Sequence, residues 1–350
     1  MKKVIILGPD KNTRGGITEV IKLQMNCAAM GRLTPVWIAT YNDKGTIAKV
    51  AYFFLGLIRF LVNVWFSRCV YVHFSEPTSA ARKYIFIQIS KLLNKKLVVH
   101  FHSHSIETTI QGKKSNLYRK IFNSADCVVL LSEFWRDSID TFCKKDCTVR
   151  IIRNPVKAPN NVQIAGPAES TNSYILFAGT LNQRKGYDVL INAFSLVAKK
   201  YPDWDLVFAG NGEIAKASKM VSELGLEDRV IFKGWVRDDV KDALFTNASI
   251  FCLPSKAEGF PMAILDAISA NVPVIATPVG GIPDILVHNF NSLLVKVDDP
   301  INLSESIEVL LSNKLKRKEL IENMCILKDN ELSYSKFDNN MNVLLHSLGI

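Results

Sequence analysis

The sequence predicts an α/β protein built from two doubly wound domains in tandem. Apolar, β-rich runs alternate with helix-patterned stretches from end to end. The runs are apolar throughout rather than alternating, the pattern of parallel strands covered by helices on both faces. One stretch, KAPNNVQIAGPAESTNS at 157–173, breaks the pattern: it is polar, carries Pro and Gly and has no periodicity. That marks a linker between domains at 1–156 and 174–330. With 350 residues the chain is long for one core and ample for two.

In the first half the strand candidates are KVIILGP, TPVWIAT, CVYVHFS, KLVVHFHS, CVVLLS and TVRIIRN. Between them GGITEVIKLQMNCAA, the stretch 47–67, SAARKYIFIQISKLLN, NLYRKIFNSA and EFWRDSIDTFC place apolar residues at helical spacing. The second series runs YILFAGT, a helix over 186–200, DLVFAGN, a helix over 213–224, RVIFKGWV, a helix over 239–247 and SIFCLPS. A helix over 261–270, the strand PVIATPV and a weak strand in SLLVKV follow. Helical material closes the chain, and its last part, 331–350, is expected to pack back toward the first domain. Two such domains facing each other would form a cleft at the carboxyl ends of both sheets, where open α/β folds bind ligands.

The opening MKKVIILGPD reads as a first strand rather than an export signal, because its apolar run is short and ends in a Gly-rich turn. The segment 50–66, VAYFFLGLIRFLVNVWF, is interrupted by Arg59 and Asn63 and falls short of the ~20 residues of a membrane span. It is expected as a buried or interfacial helix. Seven scattered cysteines offer no zinc set and suit free thiols in a reducing cytoplasm. The charge is uneven. Residues 1–156 hold 24 Lys+Arg against 10 Asp+Glu, and the remainder 19 against 23. A basic first half points to an anionic partner: nucleic acid, a membrane leaflet or a phosphorylated lipid.

After the first strand, Gly8, Gly15 and Gly16 bracket a loop that feeds a helix, where backbone N–H groups can face an anion. The loop is also compatible with an ordinary flexible turn. It is not the dinucleotide fingerprint, since G-x-G-x-x-G is absent and Thr40 and Asn42 stand where a ribose-binding acid belongs. The fourth strand ends in HFHSHS; His100, His102 and His104 alternate and would share one face. One of them reaching a ligand as a polar or acid–base group is favoured over a three-histidine metal site, for which no nearby acid completes the set. In FAGTLNQRKGYDVL, Arg184 and Lys185 sit beside a helix N-terminus, opposing its dipole, which favours an anionic partner such as phosphate.

The stretch AEGFPMAILDA carries two acids. Glu258 lies in a loop at a strand's carboxyl end, and Pro261 suits the first position of the helix that follows. The N–H groups of Phe260, Met262 and Ala263 at that helix start are suited to an anion. Asp266 lies further along. A Glu on sugar hydroxyls, N–H groups on a diphosphate and a second acid on a ribose would make one nucleotide-sugar site. A loop acid and an unrelated solvent-facing helix acid are the alternative.

EGFPMAILDAISANVPVIATPVGGIPDIL resembles the E-x7-E region of retaining GT-B glycosyltransferases, and FAGTLNQRKGYDVLINAF, VFAGNGE and RVIFKGWV match that family in order and spacing. The resemblance covers 174–300 well and the first half weakly. It implies a GT-B fold of two Rossmann-like domains. It places Glu258 on hydroxyls of the transferred sugar, with Gly259, Phe260, Pro261, Met262 and Ala263 near sugar and diphosphate. It puts Lys185 on the diphosphate, Gly15 and Gly16 near the distal phosphate, and His102 beside the reacting sugar. Lys233 to Val236, with Gly234, would border the base. Two departures stand out: Thr180 replaces a phosphate cation common in the family, for which Arg184 is a substitute, and the second acid is Asp266, one methylene short. The implied reaction moves a hexosyl group from a nucleoside diphosphate sugar to an acceptor hydroxyl with retention. No divalent metal is implied, and no cofactor is implied beyond the donor. The implied acceptor is a glycan or lipid-linked glycan of cell-surface polysaccharide assembly. The basic half, with Arg59, Arg68, Arg82 and Lys83 around the 50–66 helix, would then hold the protein at the cytoplasmic face of an anionic plasma membrane. A GT-B epimerase and a non-catalytic nucleic-acid-binding protein are the rival readings.

Overall fold

The computed structural model describes residues 3–143, 147–157 and 173–350. The chain divides into two compact units, Met1–Asn154 with Ser335–Ile350, and Pro155–Tyr334. Residues 158–172 of the expected linker lie outside the described residues.

In the first unit the strands are β1 (Lys3–Gly8), β2 (Thr34–Ala39), β3 (Ser67–Phe74), β4 (Lys96–Phe101), β5 (Cys127–Leu130) and β6 (Thr148–Ile151). They pair in parallel in the order β2-β1-β3-β4-β5-β6. The helices are α1 (Gly16–Asn26), α2 (Ala28–Gly31), α3 (Thr46–Val64), α4 (Pro77–Leu92), α5 (Ser115–Phe122) and α6 (Glu133–Ile139). The helix expected over 15–29 breaks in two, because Cys27 takes an extended conformation between α1 and α2. On β3 the two-residue period sends Val70, Val72 and Phe74 into a core shared with Phe60, Phe86, Phe122 and Trp135. Tyr71 and His73 occupy the other face and are equally buried.

The apolar helix α3 is 19 residues long, by length and composition enough to cross a membrane. Only Gly56, Phe60 and Val64 are buried on it, with Phe53 and Phe60 packed edge-on against Phe86. The opposite stripe, including Ile47, Phe54, Leu55, Ile58 and Val62, is exposed, and Trp65 and Phe66 extend it. Of the two expectations, buried or interfacial, the exposed stripe does not fit the first. Lys83 corrects the sequence reading: expected on the basic surface around this helix, it is buried. It falls between Ala80 and Phe86 on the inward face of α4, a position the charge pattern alone does not reveal.

In the second unit β7 (Ser173–Ala178), β8 (Trp204–Ala209), β9 (Val230–Gly234), β10 (Ile250–Leu253), β11 (Val274–Ala276) and β12 (Leu293–Leu294) form a parallel sheet, ordered β12-β11-β10-β7-β8-β9. Around it lie α7 (Tyr187–Ala198), α8 (Ile214–Glu223), α9 (Asp238–Thr246), α10 (Met262–Ser269), α11 (Pro300–Ser312) and α12 (Lys314–Glu331). The last helix, α13 (Tyr334–Ser347), belongs with the first unit, where the Asp338 carboxylate accepts from the Ala29 N–H at 2.8 Å. In this sheet β7 pairs with β8 on one side and β10 on the other, so the order reverses between β7 and β10. Such switch points are where open α/β sheets gather ligand-binding loops.

Candidate active site

The loops that leave β7 and β10 at the switch point carry the predicted acid and its cations. After β7 a single 3-10 turn, Gln183–Lys185, is capped by the Asn182 side chain, which accepts the Lys185 N–H at 3.0 Å. Gly186 then adopts a left-handed conformation, φ 71°, to start α7. A Cβ there would lie 2.1 Å from the Pro254 carbonyl oxygen, so only glycine allows the two loops to meet. The Lys256 N–H donates to the Arg184 carbonyl at 2.7 Å and ties them again.

Glu258 is 5% exposed. Its Oε1 accepts from Lys185 Nζ at 2.5 Å and from Ser255 Oγ at 2.6 Å. Arg184 Nη1 stands 3.7 Å from Oε2 and donates to the Ala257 carbonyl at 2.6 Å. Thr277 Oγ1 in turn donates to the Ser255 carbonyl. The far side of the loop rests on Gly280, φ 57°, where a Cβ would stand 1.7 Å from the Glu258 carbonyl oxygen. Burial pushes the Glu258 carboxyl up, but the charges of Lys185 and Arg184, with the bonds from Lys185 and Ser255, outweigh it and hold it below its usual range. The acid is therefore ionised at neutral pH and fixed in place, able to accept from hydroxyls, while two cations stand beside it for an anion.

Gly259, Phe260 and Pro261 continue the loop and are buried; Met262 and Ala263 open α10 and are partly exposed. Pro261 is the cap of α10, with an extended backbone (ψ 117°), rather than its first helical residue as expected. Asp266 is not a solvent-facing acid: its Oδ1 meets Lys241 Nζ of α9 at 2.8 Å. Gly234 ends β9, the edge strand two places from β7, in a left-handed conformation.

The other predicted residues lie in the first unit. Gly15 caps α1 with φ 136° and no side-chain hydrogen bond, and Gly16 is the first helical residue. β4 stops at Phe101, so His102 and His104 lie beyond it and the expected alternation ends there. His104 pairs with Glu76 at 3.1 Å. The third histidine of the cluster is instead His73, aligned with His100 across β3 and β4. His73 Nδ1 and His102 Nε2 are 2.9 Å apart, and His73 Nε2 is 2.7 Å from Gln24 Oε1. Burial, then the charge of Lys83, lowers His102 to about 3, so it is a neutral imidazole at physiological pH. Sequence reasoning missed Ser255, Lys241, His73 and Gln24. His73 had a signal, since VHFS in the third strand candidate parallels VHFHS in the fourth; Lys241 had none.

Residues 162–324 match the family described as glycosyl transferases group 1. Along 99% of this chain and 100% of the other, the backbone superposes on Anabaena HepE, solved with UDP and glucose, with a TM-score of 0.79 at 16% identity. The chain has the GT-B fold, and its second half is similar to the glycosyl transferases of group 1. An uncharacterized glycosyltransferase of Haemophilus influenzae is 30% identical over 168 residues, 45% of this chain and 47% of that protein. An undecaprenol-linked-glycan α-1,4-N-acetyl-D-galactosaminyltransferase of Campylobacter jejuni is 27% identical over 274 residues, 76% of this chain and 72% of that protein. Matches to the first curated relatives span about half of their lengths. The matched stretch contains Arg184, Lys185, Gly234 and Glu258 to Asp266. The GT-B likeness to HepE shows the fold alone.

Proposed function

We propose that this protein is a retaining glycosyltransferase that moves a hexosyl group from a nucleoside diphosphate sugar to a hydroxyl of a glycan or lipid-linked glycan. The observation that carries the reading is the buried, ionised Glu258 held between Lys185 and Arg184 at the β7/β10 switch point. A carboxylate there accepts from sugar hydroxyls; the two cations and the start of α10 receive the diphosphate. The C–O bond from the anomeric carbon to the diphosphate breaks, and a bond to the acceptor oxygen forms on the same face. The acceptor proton passes to the departing diphosphate oxygen. Stabilising the leaving group is electrostatic work that Lys185 and helix N–H groups perform without a divalent metal. The UDP and glucose bound by HepE and the polyprenol-linked acceptor of the Campylobacter relative support this class of donor and acceptor.

A thermal-shift panel of nucleoside diphosphate sugars, followed by transfer assays with the best donor, tests the reading. Free nucleoside diphosphate and a product of unchanged anomeric configuration are expected, and Glu258→Gln should lower the rate about a hundredfold or more. A rate within a few-fold of wild type would rule Glu258 out as the sugar-binding acid.

The exposed stripe of α3 supports placement at a membrane, with the helix lying in the headgroup region and the exposed Arg59 and Arg68 meeting anionic lipid. Flotation with vesicles rich in anionic lipid should recover the protein, and Ile58→Glu with Trp65→Glu should release it. Equal recovery with neutral vesicles, or of the double variant, would remove this placement.

A further inference from the structure

The helices α3, α4 and α5 cover one face of the first sheet, where Phe60, Phe86 and Phe122 share a core. Their outer surface is unevenly divided. Between residues 3 and 143, every exposed large hydrophobic except Phe134 lies on α3, on Trp65 and Phe66 just after it, or on α4, which adds Ile85 and Leu92. α3 and α4 are neighbours, with Phe53 and Phe60 packed against Phe86. The next groove, between α4 and α5, has the opposite character. It is an open pocket of about 390 Å³ lined by Lys91, Arg119 and Lys120, and otherwise by the neutral Tyr84, Gln88, Asn123 and Ser124.

Lys91 lies in the last turn of α4, and Arg119 and Lys120 in the last turn of α5. Basic residues there complement the helix dipoles, which accounts for their sign. It does not account for their meeting in one pocket. Each helix end presents roughly half a negative charge, so three full cations leave the pocket about two charges positive. At the same edge of the sheet Lys96 has its acid, Asp126, at 3.2 Å. Lys91, Arg119 and Lys120 have no such pair among the described residues. The Arg119 guanidinium lies 4.9 Å from the centre of the Phe142 ring, which restrains it. Both helices run back from strand carboxyl ends, so their last turns stand at the amino edge of the sheet. The pocket is therefore separate from Gly15 and His102, which follow the carboxyl ends of β1 and β4.

We propose that this pocket receives the phosphate headgroup of an anionic membrane lipid, with Lys91, Arg119 and Lys120 as its cations. The charge selects the headgroup, and continuity with the apolar surface of α3 and α4 selects a lipid over a soluble anion. The inference rests on the membrane placement of α3 and sharpens it. The apolar stripe supplies insertion, and the pocket supplies preference for anionic lipid at a defined point. The Gln88 amide and the Tyr84 hydroxyl add neutral donors to the same wall.

Partition of the full chain onto phosphatidylcholine vesicles, with and without phosphatidylglycerol, tests this by flotation. Lys91→Gln with Arg119→Gln and Lys120→Gln should weaken partition onto the anionic vesicles roughly a hundredfold, about fivefold per cation. A control of equal charge, Lys44→Gln with Lys113→Gln and Lys114→Gln, alters exposed lysines outside the pocket and should cost less than about tenfold. Should the first variant fail to fold, Lys91→Gln with Lys120→Gln serves, with a loss of roughly thirtyfold expected. Equal losses in pocket and control variants, with wild-type recovery on anionic vesicles intact, would overturn the pocket and leave the membrane placement standing. Equal wild-type recovery with and without phosphatidylglycerol would remove the placement and the lipid with it. Calorimetric binding of glycerol phosphate by the wild type but not by the pocket variant, with no preference for anionic vesicles, would assign the pocket to a soluble phosphate ester and overturn the lipid.

Discussion

Lys185 and Lys83 are both withdrawn from solvent, one in each unit, and their surroundings are opposite. Lys185 has a carboxylate at 2.5 Å; Lys83 has a hydroxyl at 3.4 Å and no acid among the described residues. The first amine is half of a satisfied pair, whose partner acid stays ionised although buried. The second is an unsatisfied charge site, whose amine is pushed toward neutrality. A buried cation with its counter-ion in the protein keeps its charge. One without it is driven toward the neutral amine.

The largest expected effect separates the two. Lys185→Met leaves Glu258 buried beside only the more distant Arg184 and should destabilise the chain by about 3–5 kcal/mol. Lys83→Met removes an uncompensated amine and should leave stability unchanged or raise it by up to roughly 2 kcal/mol. Denaturant melts of both variants check the pair; equal losses would erase the distinction. The pH dependences should differ as well. Lys83 has a folded value below 10.5, so the unfolded chain binds more protons between the two values and stability rises with pH across that window. Lys83→Met should flatten that slope. The Glu258 contribution is complete above its ordinary value of 4.5 and is lost as pH falls through its depressed folded value. Glu258→Gln should reduce that acid-side loss.

Next in size is Gly280→Ala. The left-handed backbone and the approach to the Glu258 carbonyl should cost about 1–3 kcal/mol, and donor affinity should fall with it. Unchanged donor binding would show that the Glu258 loop tolerates displacement. Smallest is Asp266→Asn, which removes a partly exposed pair with Lys241 worth about 0–1 kcal/mol. Donor affinity within about threefold of wild type is expected if Lys241, not a ribose, is the partner of Asp266. A larger loss measured by nucleotide titration would restore the ribose contact.

The elements of the second unit were legible because each strand and helix is written with its own period, and because Gly186, Glu258 and Gly280 stand in loops whose ends that pattern fixes. Lys185 and Glu258 could be brought together from the sequence only because the resemblance put both on one donor; that their loops are adjacent follows from the strand order. Asp266 could not be resolved, since its partner Lys241 lies on a different helix with no sequence relation to it. In the first unit the limits were stricter. Lys83 looks like any surface lysine until α4 turns it inward, and the matching VHF runs that hint at His73 beside His100 become a pairing only through the β3–β4 register. The apolar length of α3 was visible; which of its faces is covered was not, because that depends on where Phe86 stands.

The contact between Gly186 and the Pro254 carbonyl constrains how this site can diverge. With the Arg184 carbonyl also bonded to the Lys256 N–H, the loops after β7 and β10 cannot lengthen or shorten independently without breaking a backbone junction. Insertions there would move the acid away from its cations. If the proposed donor site holds, new donor preferences arise by changing side chains on fixed loops, or by remodelling connections outside this junction, such as the turn that follows β9.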